Sequence, residues 1–453
     1  MNKRRLAELR AEADKSEARG TLMKLFDPGS FIELDPFVST DSVITASGQV
    51  AGRQVFAFAQ NREEEHGAVT AAHTRKLKKL YRLAEETGVP IIGFFDSFGG
   101  KISDGMVTVD GYADWLTAIN RLSGVVPQIA VINGPCVGAA AVIAAASDLI
   151  LLTQEGEWAL TPPFLKEAGG FLEYESFRNR AHLTASSMDE TIAQLQTLLS
   201  YLPSNNLTEA ATTSYLEPEQ PVFLKLCEGD ILPSICDKDS ILTLQRQFGE
   251  CVQTSFARIA GRSVGVIVTV KQTLCVNGIG KAARFVRFCD AFHIPVITLA
   301  DVTGVCNKED DAASLTAAAQ LCHAYAEATT PKVSVITGDA YGTLAVALAG
   351  RGVASDWTVA WEDAALSPMS PVAAVELLFR EQLKEAQNVA EKRKQLADVY
   401  RRDNASAFAA MNAGTVDTVI RPEETRQALQ KILDLLQTKR VATKPKKHSN
   451  IPL

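Results

Sequence analysis

Two glycine-containing turns are the parts of this sequence whose residue types and spacing could do chemistry. Residues 134–140 (GPCVGAA) separate the apolar run IAVIN from the small-residue run AVIAAAS, and residues 338–344 (GDAYGTL) occupy a similar place later in the chain. Each turn precedes a predicted helix, whose first amides have no partner within the helix. Such amides can hold a developing oxyanion. A tight packing turn would need the same small residues, so the pattern alone leaves both interpretations open.

Other catalytic patterns find little support. The chain has six His but no GxSxG elbow, HxxxH spacing, Walker A motif or GxGxxG after a strand. Cys136 could be a nucleophile in the first turn, although no basic or His residue stands beside it in sequence to lower the thiol pKa. His293 lies where a helix gives way to a strand, and a structural role is the simpler interpretation. We expect no metal site.

The elements around the turns repeat along the chain. GVPIIGFFDSFGG (88–100) matches HIPVITLADVTGV (293–305), each an apolar strand that ends in Asp. In both halves the next strand opens at a proline 36 or 37 residues later, and a glycine follows after seven more residues, at Gly134 and Gly338. Recurrent spacing of this kind predicts two homologous halves, each with β-α units around a largely parallel sheet. The polar stretch 201–221 is the predicted boundary.

Composition excludes several classes of protein. The 453 residues carry 46 Lys and Arg against 53 Asp and Glu, a formal charge of −7, with 46% apolar residues. This is ordinary globular composition without attraction to nucleic acid. Eight Cys without a CxxC pair predict free thiols in a reducing cytoplasm. Residues 129–147 are uncharged, but Asn133, Gly134, Pro135 and Gly138 favour a strand, a turn and a buried helix over a membrane span.

Two helices and a loop complete the prediction for the first half. Residues 2–26 and 68–87 have helical periodicity, and Gly88 ends the second of these helices. A glycine-rich loop at 96–101 (DSFGGK) follows the buried strand IIGFF. The basic tail TKRVATKPKKHSNIPL is either a solvated tail or an arm across a neighbouring subunit.

Several longer stretches resemble one family, the carboxyltransferase (beta) subunits of biotin-dependent acyl-CoA carboxylases with the related methylmalonyl-CoA decarboxylase and transcarboxylase subunits. The matching stretches are FDPGSFIELD (26–35), NGPCVGAA (133–140), SYLPSNN (200–206), KAARFVRFCDAF (281–292), AYAEATTP (324–331), AGTVDTVIRPEETR (413–426) and KKHSNIPL (446–453). They span nearly the whole chain. The resemblance also accounts for the internal repeat.

The resemblance implies an α/β fold of two tandem crotonase-like domains. Residues 1–210 would form the amino-terminal domain on the acyl-CoA side, and residues 211–453 the carboxy-terminal domain on the biotin side. The implied reaction moves a carboxyl group between carboxybiotin and the α-carbon of a short acyl-CoA, pairing propionyl- with methylmalonyl-CoA or acetyl- with malonyl-CoA. Biotin can take the α-proton itself, so such a protein needs two oxyanion holes rather than a side-chain base.

Site residues follow from the same resemblance. The amides of Gly138 and Ala139 would hold the thioester enolate, and those of Thr343 and Leu344 the ureido oxygen of biotin. The implied substrate-binding residues are Lys76, Ser97, Phe98, Gly99, Gly100, Lys101 and Val346. The 97–101 loop would line the acyl-CoA side, and Lys76 would meet CoA phosphates. Val346 stands where family members commonly carry a substrate-selecting Asp.

The implied partners are a biotin carboxyl carrier protein and a biotin carboxylase subunit, since the chain has no Met-Lys-Met biotin attachment motif. The family commonly forms hexamers, as trimers of dimers, and a mixed oligomer with a paralogue is the alternative. Thr343 and Leu344 replace family glycine and alanine, and the family's Pro-Gly-Phe loop after Asp301 is missing. These departures leave two other functions open: a biotin-independent acyl-CoA decarboxylase, or a non-catalytic paralogue that assembles with an active carboxyltransferase.

Overall fold

The computed structural model describes residues 8, 15–36, 42–160, 177–218, 230–306, 310–442 and 444–452. The chain divides into two compact units, Met1–Glu209 (unit 1) and Ala210–Leu453 (unit 2). This division lies within the polar stretch 201–221 that the sequence offers as the boundary. The domain roles predicted from the resemblance stay predictions.

The elements of unit 1 alternate between strands and helices. Its strands are β1 (Ile32–Leu34), β2 (Val43–Val50), β3 (Arg53–Gln60), β4 (Ile91–Ser97), β5 (Gln128–Val137), β6 (Leu149–Thr153), β7 (Glu157–Ala159) and β8 (Leu183–Ala185). Its α-helices are α1 (Glu17–Leu25), α2 (Ala71–Thr87), α3 (Met106–Arg121), α4 (Ala139–Ala146) and α5 (Met188–Tyr201). Single 3₁₀ turns lie at Glu65–Gly67 and Ile102–Asp104.

Unit 2 repeats this alternation and adds helices near its end. Its strands are β9 (Leu242–Leu244), β10 (Val252–Ile259), β11 (Arg262–Thr269), β12 (Thr273–Leu274), β13 (Val296–Val302), β14 (Gly304–Val305), β15 (Lys332–Tyr341), β16 (Trp357–Trp361), β17 (Ala365–Ser367) and β18 (Thr418–Ile420). Its α-helices are α6 (Leu232–Ile235), α7 (Val276–Ala291), α8 (Asp311–Glu327), α9 (Gly342–Ala349), α10 (Pro371–Leu378), α11 (Arg380–Lys384), α12 (Val389–Tyr400), α13 (Ala407–Asn412) and α14 (Thr425–Leu436). A π turn, Arg401–Ala405, follows α12, and a 3₁₀ turn, Pro422–Glu424, precedes α14.

The main sheets of the two units have the same topology. Unit 1 has the order β1-β2-β3-β4-β5-β6-β8, and unit 2 has β9-β10-β11-β13-β15-β16-β18. In each sheet the first three strands are antiparallel and the later pairs are parallel. A short extra strand, β7 or β17, pairs with the central β5 or β15. The predicted internal repeat is therefore present in the fold.

The local predictions near the first turn agree with the structure. Residues 129–147 form strand β5, a turn and the small helix α4 rather than one continuous helix. Within the described ranges, every helix is too short or too polar to cross a bilayer. Thr70 caps the start of α2, and Gly88 ends it with a left-handed φ of 65°. The predicted helix over 2–26 is described as Glu17–Leu25, with most of its first part outside the described residues.

The core of unit 1 lies beneath the strand that leads to the glycine-rich loop. Phe58 and Phe95, from β3 and β4, each contact the ring of Trp115 on α3, with centroids 5.7 and 5.8 Å apart. All three side chains are almost fully buried. Burying three aromatic rings stabilises the unit through both area and ring geometry. This packing fixes the end of β4 and the loop that follows it.

Candidate active site

The first glycine turn joins β5 to α4. β5 ends at Val137, Gly138 adopts a φ of 61°, and α4 begins at Ala139. Only glycine adopts such a φ without strain. No side chain in the described part of the chain caps this helix, and the bond from Val142 N–H to Gly138 O, 3.3 Å, returns to the turn itself. The amides of Ala139 and Ala140 thus have no partner within the helix and can bind an oxyanion.

The amide of Gly138 already has partners. Its N–H donates to the carbonyl oxygens of Ala159 and Leu160, at 3.2 and 3.1 Å. An enolate would therefore have to replace these carbonyls at Gly138, whereas the next amides need no exchange. The predicted oxyanion hole from the Gly138 and Ala139 amides stays a prediction. The geometry favours the amides of Ala139 and Ala140 as the alternative pair of donors.

The second glycine turn has the same construction. β15 ends at Tyr341, Gly342 has a φ of 70°, and α9 begins at that glycine. Thr343 is exposed and Leu344 is buried, much as Ala139 is half-buried and Ala140 is buried after Gly138. Gly342 therefore corresponds to Gly138.

By this correspondence, the predicted pair Thr343–Leu344 is equivalent in position to Ala139–Ala140. The predicted pair of the first turn, Gly138–Ala139, lies one residue earlier.

Val346 lies on the exposed side of α9. It is 54% exposed, and Val142, at the corresponding position of α4, is 44% exposed. Both helices therefore present an apolar side chain beside their turn. The predicted role of Val346 in substrate selection stays a prediction.

The glycine-rich loop lies beside the first turn because β4 and β5 are neighbours, with Ser97 opposite Cys136 in the ladder. Ser97 Oγ accepts a hydrogen bond from Gly99 N–H at 3.1 Å. Val69 N–H donates to Gly99 O, and Lys101 N–H donates to Val69 O, both at 3.0 Å. The loop is therefore held at both ends.

The remaining loop residues differ in their access to solvent. Phe98 is 45% exposed, while a Cβ at Gly100 would lie 2.3 Å from a Thr108 methyl carbon, so glycine is needed there. Lys101 Nζ lies 2.5 Å from Glu65 Oε1. Five predicted substrate-binding residues, 97–101, thus share one loop beside the first turn.

Lys76 is placed differently from its predicted role. It is only 3% exposed on α2, on the side that also buries His73. Burial, and then the charge of Lys76, lower the pKa of His73 to about 3. The neighbouring Lys78 is at the surface and pairs with Asp114 at 2.9 Å. The structure therefore does not bring Lys76 to an exposed surface, and its contact with CoA phosphates stays a prediction.

The thiol of Cys136 is unsuited to nucleophilic attack. Cys136 is fully buried, and burial, reinforced by the charge of Asp96, raises the pKa of the thiol well above its ordinary value. A protonated, inaccessible thiol is a poor nucleophile. Among the described residues, no three His, Cys, Asp or Glu side chains group as metal ligands.

Two aspartates, one on the strand beside each glycine turn, have contacts that the sequence does not predict. Asp301 Oδ1 accepts hydrogen bonds from Gln272 Nε2 at 2.9 Å and from Asp339 N–H at 3.0 Å. Asp96, at the matching position of β4, has a buried Oδ1 that accepts no hydrogen bond within the described residues. Its closest cation is Arg62, with Nη1 at 3.8 Å, and burial raises the pKa of Asp96 to about 6.

Hydrogen bonds from Arg401 support the second turn. Arg401 Nη1 donates to Asp339 Oδ1 at 2.6 Å and to the Tyr341 hydroxyl at 2.9 Å. Its other terminal nitrogen donates to Asp363 O at 3.2 Å. Because Arg401 stands 62 residues from Asp339 in the chain, no local sequence pattern points to it.

Comparison with known proteins agrees with this architecture. The model of the carboxyl transferase domain family matches residues 11–451. The methylmalonyl-CoA decarboxylase subunit alpha of Propionigenium modestum is 32% identical, covering 97% of this chain and 93% of the relative. The propionyl-CoA carboxylase beta chain of Cereibacter sphaeroides is 31% identical, covering 99% and 96%. The structure of the transcarboxylase 12S hexamer with methylmalonyl-coenzyme A bound superposes with a TM-score of 0.89 at 29% identity, covering 100% of this chain and 95% of that one.

Two sheets of the same topology, each ending in a glycine turn before a short helix, define a tandem crotonase-like α/β protein. The chain belongs to the carboxyl transferase domain family. The predicted fold class and the family resemblance are thus confirmed.

Proposed function

We propose that this chain is the carboxyltransferase subunit of a biotin-dependent acyl-CoA carboxylase. It moves a carboxyl group between carboxybiotin and the α-carbon of a short acyl-CoA, propionyl-CoA or acetyl-CoA in the carboxylating direction. The observation that carries the proposal is the pair of equivalent turns at Gly138 and Gly342, each presenting helix amides at the end of a central strand. A transfer between two carbonyl-type groups uses two such sites.

The first turn holds the thioester oxygen. When the α-carbon loses its proton or its carboxyl group, negative charge develops on that oxygen. Amides fixed at a helix N-terminus stabilise this charge, at about 3 kcal/mol for a single donor. Ala139 contributes one donor, and Gly138 or Ala140 contributes the second.

The second turn fits the ureido group of biotin. A ureido oxygen is a hydrogen-bond acceptor, and the amides of Thr343 and Leu344 stand in the first turn of α9, which offers donors. Thr343 is exposed whereas Leu344 is buried, so Thr343 is the residue of this pair that is within easier reach of a ligand. Bound biotin supplies the carboxyl group and the acceptor for the α-proton, and the chain orients it through these amides.

The loop 97–101 completes the acyl-CoA side of the proposal. It lies at the strand end next to the first turn, as the pairing of Ser97 with Cys136 requires. The half-exposed Phe98 offers an apolar surface for a short acyl chain, and Lys101, which pairs with Glu65, is the cation of the same loop. Val346 is retained as a proposed substrate-selecting residue, and Lys76 as a proposed contact with CoA phosphates that requires its buried side chain to become exposed.

The proposal includes partners. Biotin is carried by a biotin carboxyl carrier protein and loaded by a biotin carboxylase subunit. We further propose a homohexamer, because the matching transcarboxylase 12S structure is a hexamer, and a cytoplasmic location.

The test measures loss of the carboxyl group from malonyl-CoA and methylmalonyl-CoA by the purified protein, with and without free biotin. Turnover that requires biotin supports the proposal. Equal turnover without biotin would replace it with a biotin-independent decarboxylase, in which only the first turn is used.

The third candidate function, that of a non-catalytic paralogue, requires a separate experiment. If the protein is inactive under both conditions, it is isolated from its native source and its companions are identified by mass spectrometry. Copurification with a closely similar, active subunit would identify a non-catalytic paralogue and overturn the proposal.

A further inference from the structure

Two cysteine thiols of unit 2 are in direct contact. The Sγ atoms of Cys251 and Cys275 lie 3.0 Å apart, and Cys275 N–H donates to Cys251 Sγ at 3.1 Å. Both are free thiols. Cys251 immediately precedes β10 and Cys275 immediately precedes α7, so the contact joins two elements across 24 residues. A disulfide has an S–S bond of about 2.05 Å, so the sulfurs need to approach by about 1 Å.

The two thiols differ in accessibility. Cys251 is 4% exposed, whereas Cys275 is partly exposed. A cavity of about 520 Å³ is lined by Val276, the residue after Cys275, and by Phe248 and Lys281, but by neither cysteine. Because Cys275 is the more exposed of the two thiols, a small oxidant reaches Cys275 before it reaches the buried Cys251.

The charge of Lys281 lies within electrostatic range of both sulfurs. Lys281 Nζ donates to Phe248 O at 2.6 Å, on the segment that leads to Cys251. Its charge acts on both Cys251 and Cys275, and burial lowers the pKa of Lys281 to about 8. A nearby cation stabilises the negative charge on a sulfur that attacks an oxidant.

We propose that Cys251 and Cys275 are a peroxide-oxidisable thiol pair that forms a reversible disulfide. Cys275 sulfur attacks a peroxide oxygen, the O–O bond breaks, and Cys275 becomes a sulfenic acid with release of one water. Cys251 sulfur then attacks Cys275 sulfur, the S–O bond breaks, and a second water leaves. Two thiols and one hydrogen peroxide thus give one disulfide and two waters. A dithiol reductant reverses the change.

The disulfide would act on the support of the second turn. The segment between the two elements contains Gln272, whose Nε2 holds Asp301 Oδ1 at 2.9 Å. Thr273 pairs with Gly304 in the small β12–β14 sheet. A covalent link at Cys275 fixes the end of this segment.

The experiment uses the full-length reduced protein and a small molar excess of hydrogen peroxide. Remaining thiols are alkylated, and peptides are analysed by mass spectrometry without reduction. We expect a peptide pair linked through Cys251 and Cys275, with loss of two alkylatable thiols that dithiothreitol restores. If both residues stay alkylated after peroxide, or if Cys275 links instead to Cys306 or to a second chain, the proposal is wrong.

Single substitutions assign the roles. In Cys251→Ser, the Cys275 sulfenic acid has no resolving thiol and should accumulate as a dimedone adduct; in Cys275→Ser, Cys251 should remain reduced. Cys322→Ser is the matched control, since it removes a partly exposed thiol of α8, and it should form the disulfide as the wild type does. A dimedone adduct as abundant in wild type as in Cys251→Ser would show that Cys251 does not resolve it and would contradict the proposal.

Discussion

The two units place an aspartate at the same point behind their glycine turns, but only one is used as a hydrogen-bond acceptor for the turn. A Cβ added to Gly134 would lie 2.3 Å from the Asp96 carboxylate, and one added to Gly338 would lie 2.6 Å from that of Asp301. Each carboxylate thus packs against the glycine of the next strand. The residue that follows is Pro135 in unit 1 and Asp339 in unit 2.

This one difference changes the chemistry of both carboxylates. Asp339 has an N–H, which donates to Asp301 at 3.0 Å. Pro135 has none, so Oδ1 of Asp96 is buried without a donor from the described residues. Unit 2 therefore uses its aspartate to anchor the turn, whereas unit 1 keeps a partly buried carboxyl group whose pKa is raised. Equivalent folds can thus support their turns by different means.

The sharpest test of the equivalence removes one amide from each turn. Ala139→Pro and Thr343→Pro delete an N–H in the first turn of a helix, where proline is tolerated. We expect each to lower biotin-dependent carboxyl transfer about 100-fold, as loss of one oxyanion donor does. Steady-state rates measure this, and sedimentation checks the assembly.

Ala139→Ser and Thr343→Ser are the matched controls because they keep the amide and should stay within a few-fold of wild type. Acyl-CoA binding, measured by calorimetry, should weaken only in Ala139→Pro. Normal transfer by Ala139→Pro would remove the first turn from the mechanism, and normal transfer by Thr343→Pro would remove the second.

The next test compares the two aspartates in stability. Asp301→Ala leaves the Asp339 N–H and the Gln272 side chain without their acceptor, which should cost about 2–3 kcal/mol. Asp96→Ala removes an acceptor atom that no described donor uses and should cost less than about 1 kcal/mol. Urea unfolding followed by circular dichroism measures both. Equal losses would show that the two carboxylates have the same structural role.

A smaller effect is expected from substitution of Arg401 in unit 2. Arg401→Met removes the contacts to Asp339 and Tyr341 from a side chain that is 40% exposed. If the whole contribution of such a pair, about 1 kcal/mol, is lost from biotin binding, the KM for free biotin rises about fivefold, with the KM for acyl-CoA unchanged. Arg402→Met is the matched control because Arg402 pairs with Asp403 at the surface. A similar rise in both variants would argue against a role for Arg401 at the second turn.

Much of the fold could be predicted from the sequence because its patterns are local. Strand, turn and helix around Gly138 follow from a run of apolar residues, a glycine and a run of alanines. The repeat follows from spacing. The residues that were missed depend on contacts between distant parts of the chain, as with Arg401 and Asp339. The effect of Pro135 on Asp96 becomes visible only when strand pairing shows which amide is absent.

Burial of Lys76 also escaped prediction for a physical reason. The apolar residues Leu77 and Leu80 define one face of α2, and the predicted contact of Lys76 with CoA phosphates requires an exposed amine. In the structure the buried side of α2 extends over His73 and Lys76 as well. A wide buried face has no distinct signal when polar residues contribute to it.

A further small effect is the pH dependence that Asp96 gives to stability. Its pKa is raised from 3.8 to about 6, mainly by burial and against the opposing charge of Arg62, so the carboxyl group stabilises the fold below about pH 4 and loses this contribution as pH rises to 6. Asp96→Asn should therefore gain stability relative to wild type between pH 4 and 7, by about 1 kcal/mol after allowance for solvent screening. Urea unfolding across this range measures it. Glu190→Gln should change in the opposite direction, because hydrogen bonds from Ser186 lower the pKa of Glu190; parallel profiles for the two variants would mean that Asp96 is not destabilised by burial.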